Sequence, residues 1–160
     1  MEKNAEYLNG EKTILIIDDK QINIDFLSSS LKREGFRVIS SKDASNALNL
    51  AKTKLPDLIL LDAHMPEKNG FEICVEFKKI DEIASIPIIF MIAKNDSKYY
   101  NQCFSSGGSD FVCKPLNIQV LVHRIKTHIE LRELKEKLLP PSKRRKQQKP
   151  LSELIKMVSF

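Results

Sequence analysis

Three carboxylates and one ammonium stand where apolar runs stop. "ILIIDD" ends in Asp18 and Asp19, "DLILLD" ends in Asp62, and "DFVCK" ends in Lys114. Carboxylates gathered at one place repel one another, so a site built from them calls for a cation. With oxygen donors only, a hard divalent ion such as Mg²⁺ is the natural occupant, since it binds through a few carboxylates while keeping water and a phosphate oxygen. In that setting Asp62 can act as a carboxylate nucleophile that forms an acyl phosphate, with the metal and Lys114 offsetting the charge on the phosphoryl oxygens.

These residues are far apart in sequence, and only a particular fold brings them together. Apolar β-branched runs at residues 12–17, 36–40, 57–61, 87–93 and 110–113 read as strands. Between them lie segments of helical spacing. The first carries Ile22, Phe26, Leu27 and Leu31 and stops at Gly35; the second carries Ala44, Ala47, Leu48 and Ala51 and ends before Pro56. The third, residues 70–80, turns Phe71, Cys74, Val75 and Ile80 inward, and the fourth carries Tyr100, Cys103 and Phe104. A long helix over residues 116–138 closes the series. Strands alternating with helices imply a parallel sheet covered on both faces, because parallel neighbours need crossover connections. Ligand sites in such sheets lie beyond the carboxyl ends of the strands, where the acids and the lysine fall.

The segments "ILIIDDKQIN", "DLILLDAHMPEKNG", "IPIIFMIAKND" and "GGSDFVCKPL" resemble, in order and spacing, the receiver domain of two-component response regulators, over roughly residues 13–129. The resemblance implies a flavodoxin-like α/β fold, a doubly wound five-stranded parallel sheet of order 2-1-3-4-5 with five helices. It makes Asp62 the phosphoacceptor, Asp18 and Asp19 the Mg²⁺-binding acids together with Asp62, and Lys114 the partner of the phosphoryl group, followed by Pro115. His64 is expected to offer the metal its backbone carbonyl and to leave its ring exposed. The phosphoryl donor implied is a histidine kinase or a histidine phosphotransfer protein, and the only enzymatic acts expected are self-phosphorylation from a donor and autodephosphorylation.

One position departs from that pattern. The family usually places Thr or Ser before the Ala that ends the fourth strand, and its hydroxyl carries the conformational switch; here the pair is Ile92 and Ala93. Isoleucine donates no hydrogen bond. The aromatic partner of the switch is retained in type as Phe111. Phosphorylation is therefore expected to persist while its readout is weakened, and the alternative is an interaction module not controlled by phosphorylation.

The chain of 160 residues has room for one ordinary domain with a real core and no second catalytic domain. No apolar run approaches the ~20 residues that span a bilayer, and the first residues lack a signal-peptide core, so a cytoplasmic location is expected. Cys74, Cys103 and Cys113 lie among apolar neighbours and read as small core residues; Gly70 and Gly107 read as turn or helix-end glycines. The formal charge of +5 sits at one end: beyond Leu139 six basic residues face the single acid Glu153, a local excess of five.

The expected organisation is an amino-terminal segment over 1–11, the receiver over 12–130, a connector helix over 131–139, and a basic tail over 140–160 that is a flexible linker or the start of an output segment. In the connector, Leu131, Leu134 and Leu138 continue the apolar stripe of Val122, Ile125 and Ile129, with Glu133 and Lys137 paired one turn apart. This helix could serve an output domain or a homodimer. The tail offers nucleic acid or an anionic surface a weak contact, but about 20 residues cannot build a helix-turn-helix.

Overall fold

The computed structural model of the protein describes residues 11–144. The basic stretch after Arg144, the apolar positions Leu151, Leu154, Ile155 and Val158, and residues 1–10 lie outside them. Five strands, β1 (Thr13–Ile17), β2 (Arg37–Ser41), β3 (Leu58–Asp62), β4 (Ile88–Ala93) and β5 (Asp110–Lys114), form one sheet of order β2-β1-β3-β4-β5. Every pairing is parallel. The alternation predicted the parallel sheet, and the order is the flavodoxin-like one that the resemblance implies. Four helices make the crossovers, α1 (Gln21–Arg33), α2 (Ala44–Lys54), α3 (Gly70–Lys78) and α4 (Tyr100–Ser105), and a fifth, α5 (Ile118–Leu138), follows β5.

The central strands are apolar throughout because each face of the sheet is covered. One cluster joins Ile14, Ile16, Leu58, Leu60, Ile89 and Met91 to α1 and α5. The opposite cluster joins Leu15, Ile17, Ile59, Leu61, Phe90 and Ile92 to α2, α3 and α4. Successive residues of one strand thus serve opposite cores, as the two-residue period of a strand requires.

Local chemistry sets the helix limits. The side chains of Asp43, Asn69 and Asn117 accept hydrogen bonds from the backbone N–H groups of Asn46, Glu72 and Val120, capping α2, α3 and α5. The Asn117 cap places the start of α5 at Ile118, two residues later than periodicity suggested. Gly35 ends α1 with φ of 93°, a conformation that glycine adopts without strain. Pro140 follows the last residue beyond α5 and stops it.

Several inward assignments are corrected. On α1, Ile24, Leu27 and Leu31 are buried, whereas Ile22 and Phe26 are exposed. On α3, Ile73 and Phe77 join Phe71 and Cys74 in the core, Val75 faces out, and the helix stops at Lys78 rather than residue 80. Cys74 and Cys103 are buried as expected, but Cys113 is only partly so, its Sγ 3.5 Å from the Tyr100 hydroxyl. On α5 the buried side continues through Ile129 to Arg132 and Glu136, and the Leu131, Leu134, Leu138 row lies outside. Glu133 pairs with Lys12, at 2.5 Å, rather than with Lys137.

Candidate functional site

The acids meet at the carboxyl end of the sheet. β1 and β3 are hydrogen-bonded neighbours with Ile17 opposite Leu61, so Asp18 and Asp62 emerge side by side, one residue beyond that pair. One carboxylate oxygen from each of Asp18, Asp19 and Asp62 lies within 4.8 Å of the others. Asp18 is wholly buried and Asp62 is 4% exposed. Asp18 is held by the Lys20 backbone N–H at 2.9 Å and by the Asn23 side-chain amide at 3.1 Å. Asp19 differs: its Oδ1 is buried and has no hydrogen-bond partner among the described residues. A buried, orphaned oxygen on one of three clustered carboxylates suits a small hard cation and nothing apolar.

Asp62 is approached from two sides, and both contacts fall on Oδ1. The His64 backbone N–H donates at 3.2 Å, and Lys114 Nζ stands at 3.4 Å. The lysine distance exceeds the roughly 2.7–2.9 Å of a tight charged hydrogen bond, so this is a loose ion pair. Burial pushes the Asp62 carboxyl above its ordinary value; Lys114 opposes that shift, Asp18 adds to it by like charge, and the His64 N–H opposes it. A buried acid held between a repelling carboxylate and one ammonium is a group whose charge balance a cation would change.

Gly70, at the start of α3, lets the helix abut the site. A β-carbon there would lie 2.3 Å from the Asp62 carbonyl oxygen and 3.0 Å from Ala63 Cα. The reading of Gly70 as a source of backbone freedom is therefore replaced by close approach, fixed by the Gly70 N–H donating to Ala63 O at 2.8 Å. Gly107, with φ of 110°, does end α4 in the left-handed region.

The remaining expected residues take separate places. Ile92 is fully buried, in the cluster that contains Ala63 and Phe71. Ala93 is exposed, opposite Lys114 in the β4–β5 register. Phe111 is partly buried and stacks on Tyr100 at 4.3 Å between ring centroids. The His64 ring turns away from the acids, with Nε2 3.1 Å from Asp96 Oδ2 and an edge contact to Tyr99 at 4.9 Å. Asp96, Tyr99 and Asn23 were not singled out from sequence. Asp96 lies in an unpatterned turn and Tyr99 in the short 3-10 helix Ser97–Tyr99 before α4, and the only signal for Asn23 was its place one turn into the helix that follows the acids.

Residues 14–126 match the response regulator receiver domain family. The chain belongs to that family. It is 35% identical over 127 residues to the protein named "Probable cyclic di-GMP phosphodiesterase" of Vibrio cholerae, covering 79% of this chain and 29% of that protein. It is 34% identical over 114 residues to the response regulator PleD of Caulobacter vibrioides, covering 71% of this chain and 25% of that one. The receiver thus spans a minor part of the length of these curated relatives. Among solved structures, a two-component response regulator from Clostridium difficile is similar at a TM-score of 0.69 and 25% identity, over 74% of this chain and 96% of that one. The receiver domain is a module of two-component signalling, and among the described residues no helix is long and apolar enough to cross a membrane.

Proposed function

We propose that this receiver accepts a phosphoryl group on Asp62 from a histidine kinase or a histidine phosphotransfer protein, with Mg²⁺ held by Asp18, Asp19 and Asp62 and by the backbone carbonyl of His64. The reading is carried by one observation: three carboxylates share a space of 4.8 Å, with the Lys114 ammonium 3.4 Å from the Asp62 carboxylate. A carboxylate oxygen of Asp62 attacks phosphorus, an O–P bond forms, and the N–P bond of the donor phosphohistidine breaks with its electron pair leaving on the imidazole. Bound Mg²⁺ would supply charge neutralisation at the phosphoryl oxygens. Lys114 is placed to pair with the same oxygens, and its loose contact with Asp62 leaves it able to re-aim.

Ile22 and Phe26, exposed on the helix that follows Asp18 and Asp19, suit a donor protein docking beside the site. Output would pass through the outer face of α5. Basic residues beyond Leu139 would give only weak, salt-sensitive contact with nucleic acid or an anionic surface, removed by truncation there.

The test uses acetyl phosphate, whose mixed-anhydride bond replaces the N–P bond of the donor. A hydroxylamine-labile adduct should form on Asp62, need Mg²⁺, and disappear with chelator or in Asp62→Asn. Equal labelling of Asp62→Asn would refute the assignment. Ile92 favours a second reading, a binding module whose site is vestigial, because residue 92 offers no polar group to the site. Absence of any labelling in the parent would select it.

A further inference from the structure

The acids occupy one end of the sheet, and a group of cations gathers at the other. A cavity of about 540 Å³ opens beside the amino-terminal ends of β4 and β5, between the last residue of α3, the turn that follows it and the final turns of α5. Lys78, Arg132 and Lys135 line it, with Glu136 the one acid among its described lining. Arg132 is 9% exposed, and its Nη2 donates to Ser85 Oγ at 3.1 Å. Lys78 Nζ donates to the carbonyls of Ala84 and Ile86 at 2.9 and 2.7 Å, which uses two of its three N–H groups. Burial holds the Lys78 ammonium below its ordinary value, and the like charge of Arg132 adds to that shift. Two cations enclosed together are the counterpart of the carboxylates at the far end, and an anion relieves them. Lys135 adds a third at the exposed rim, where it forms no ion pair with a described residue. Much of the remaining wall is apolar, with Ala84 and Pro87 inside and Leu131 and Leu139 at the rim, 44% and 39% exposed.

We propose that this cavity binds a small organic anion, a carboxylate or phosphate monoester carried on an apolar body, and that occupancy ties the end of α5 to the turn after α3. Size and charge select this occupant. The volume falls in the range of small-ligand sites, roughly 300–1,000 Å³. The chain's own tail is disfavoured, because the residues beyond Leu139 carry six basic groups against one acid and are repelled by the same cations that attract an anion. The head group meets Arg132 and Lys135 while the body covers Leu131 and Leu139. Such a ligand spans two elements already joined by the Arg132–Ser85 hydrogen bond and strengthens that joint. The inference does not depend on phosphate at Asp62.

The test titrates the full 160-residue chain with octanoate and with octyl phosphate, each below its micelle concentration, and follows backbone amides by two-dimensional NMR. Saturable shifts should centre on Ser85, Ser109, Arg132 and Lys135 with Kd on the order of 1 mM, the tighter of the two probes naming the head group. At saturation, amide exchange over residues 132–138 should slow about threefold to tenfold. Lys135→Glu, at an exposed position, should keep its circular dichroism and weaken binding about threefold to tenfold, whereas Lys135→Arg should retain it. Asp62→Asn should bind like the parent, which separates this result from failure of the phosphoacceptor reading. Inorganic phosphate binding as tightly as octyl phosphate would overturn the proposal by showing that the apolar wall contributes nothing. Octyltrimethylammonium binding as tightly would overturn it by showing the same of the cations. So would shifts centred on residues 18–26, amide exchange unchanged at saturation, or no saturable shift up to about 10 mM of either probe.

Discussion

His64 Nε2 lies 3.1 Å from Asp96 Oδ2, tying the loop after β3 to the loop after β4. The same imidazole rests edge-on against Tyr99 and Phe71. Since the His64 backbone N–H is bonded to Asp62, the residue touches the acidic site with its main chain and the approach to α4 with its ring. Ile92, fully buried on β4, is wholly apolar.

Removing this tie should loosen the loop without unfolding the domain. His64 and Asp96 are both partly solvated, so His64→Ala should lower stability by no more than about 1 kcal/mol. The amide hydrogens of Asp96 and Tyr99, bonded to Ala93 O and Asp96 O, should exchange about threefold to tenfold faster. Native-state hydrogen exchange measures both. Unchanged exchange would show that backbone hydrogen bonds alone hold the loop.

Without bound metal, Asp62 should cost the protein stability at neutral pH. Burial, reinforced by Asp18, raises its carboxyl above 3.8 in the folded state despite Lys114. Between that value and the folded one, the native protein keeps a proton that the unfolded chain has lost, so this contribution to stability falls as pH rises and is fully lost above the window. Asp62→Asn should therefore raise Tm at pH 7, each kcal/mol recovered corresponding to about 2–4 °C in a chain of this length. Its advantage should fade as pH falls through that window and be gone below 3.8. Added Mg²⁺ should stabilise the parent more than the variant. Thermal melts across pH, with and without the ion, give both comparisons.

Gly70→Ala should damage the site through the backbone. The added methyl would meet Asp62 O and Ala63 Cα, main-chain atoms inside a strand end that cannot swing aside as a side chain can. We expect about 1–3 kcal/mol of destabilisation and reduced phosphoryl labelling of Asp62. Urea unfolding and acetyl phosphate labelling would show it. A variant as stable and as readily labelled as the parent would mean that α3 withdraws freely.

What the sequence made legible followed from period and position. The five strands and the convergence of Asp18, Asp19, Asp62 and Lys114 came from apolar runs that stop at polar residues, a signal independent of side-chain packing, whereas the strand order came from the family resemblance. Which apolar residues of a helix face inward was less legible. In α1, Ile22 and Phe26 share a helical spacing with the buried positions, and only the sheet's placement shows that Ile24 is the residue turned inward. On α5, the apolar stripe was read on through Leu131, Leu134 and Leu138, whereas the buried side continues through the polar Arg132 and Glu136, which hydropathy does not mark as inward. The His64–Asp96 contact was illegible for a simpler reason: it joins two loops more than thirty residues apart, neither with a periodic pattern.

Ile92 should set how far a phosphoryl group on Asp62 can be felt. Its side chain is fully buried in the cluster that includes Phe71, against which Tyr99, Tyr100 and Phe111 pack. It offers the site no donor, so a phosphoryl oxygen gains nothing by drawing β4 toward itself. A charge-assisted hydrogen bond of the kind a hydroxyl would make there contributes about 1.5–3 kcal/mol, comparable to the few kcal/mol that separate two states of a switch. The stacked Tyr100–Phe111 pair should accordingly stay in place when beryllofluoride, with Mg²⁺, stands in for the phosphoryl group. Amide shifts should centre on the loops carrying His64 and Asp96 and be small at Phe111. Ile92→Thr should lose about 1–3 kcal/mol in the unmodified protein, because it removes apolar volume and buries a hydroxyl in an apolar cluster. With beryllofluoride the same variant should recover part of that loss and extend the shifts to Phe111 and Tyr100. Two-dimensional NMR of parent and variant, each with and without the mimic, decides it: a full shift at Phe111 in the parent, unaltered by the threonine, would show that the absent hydroxyl has no bearing on the switch.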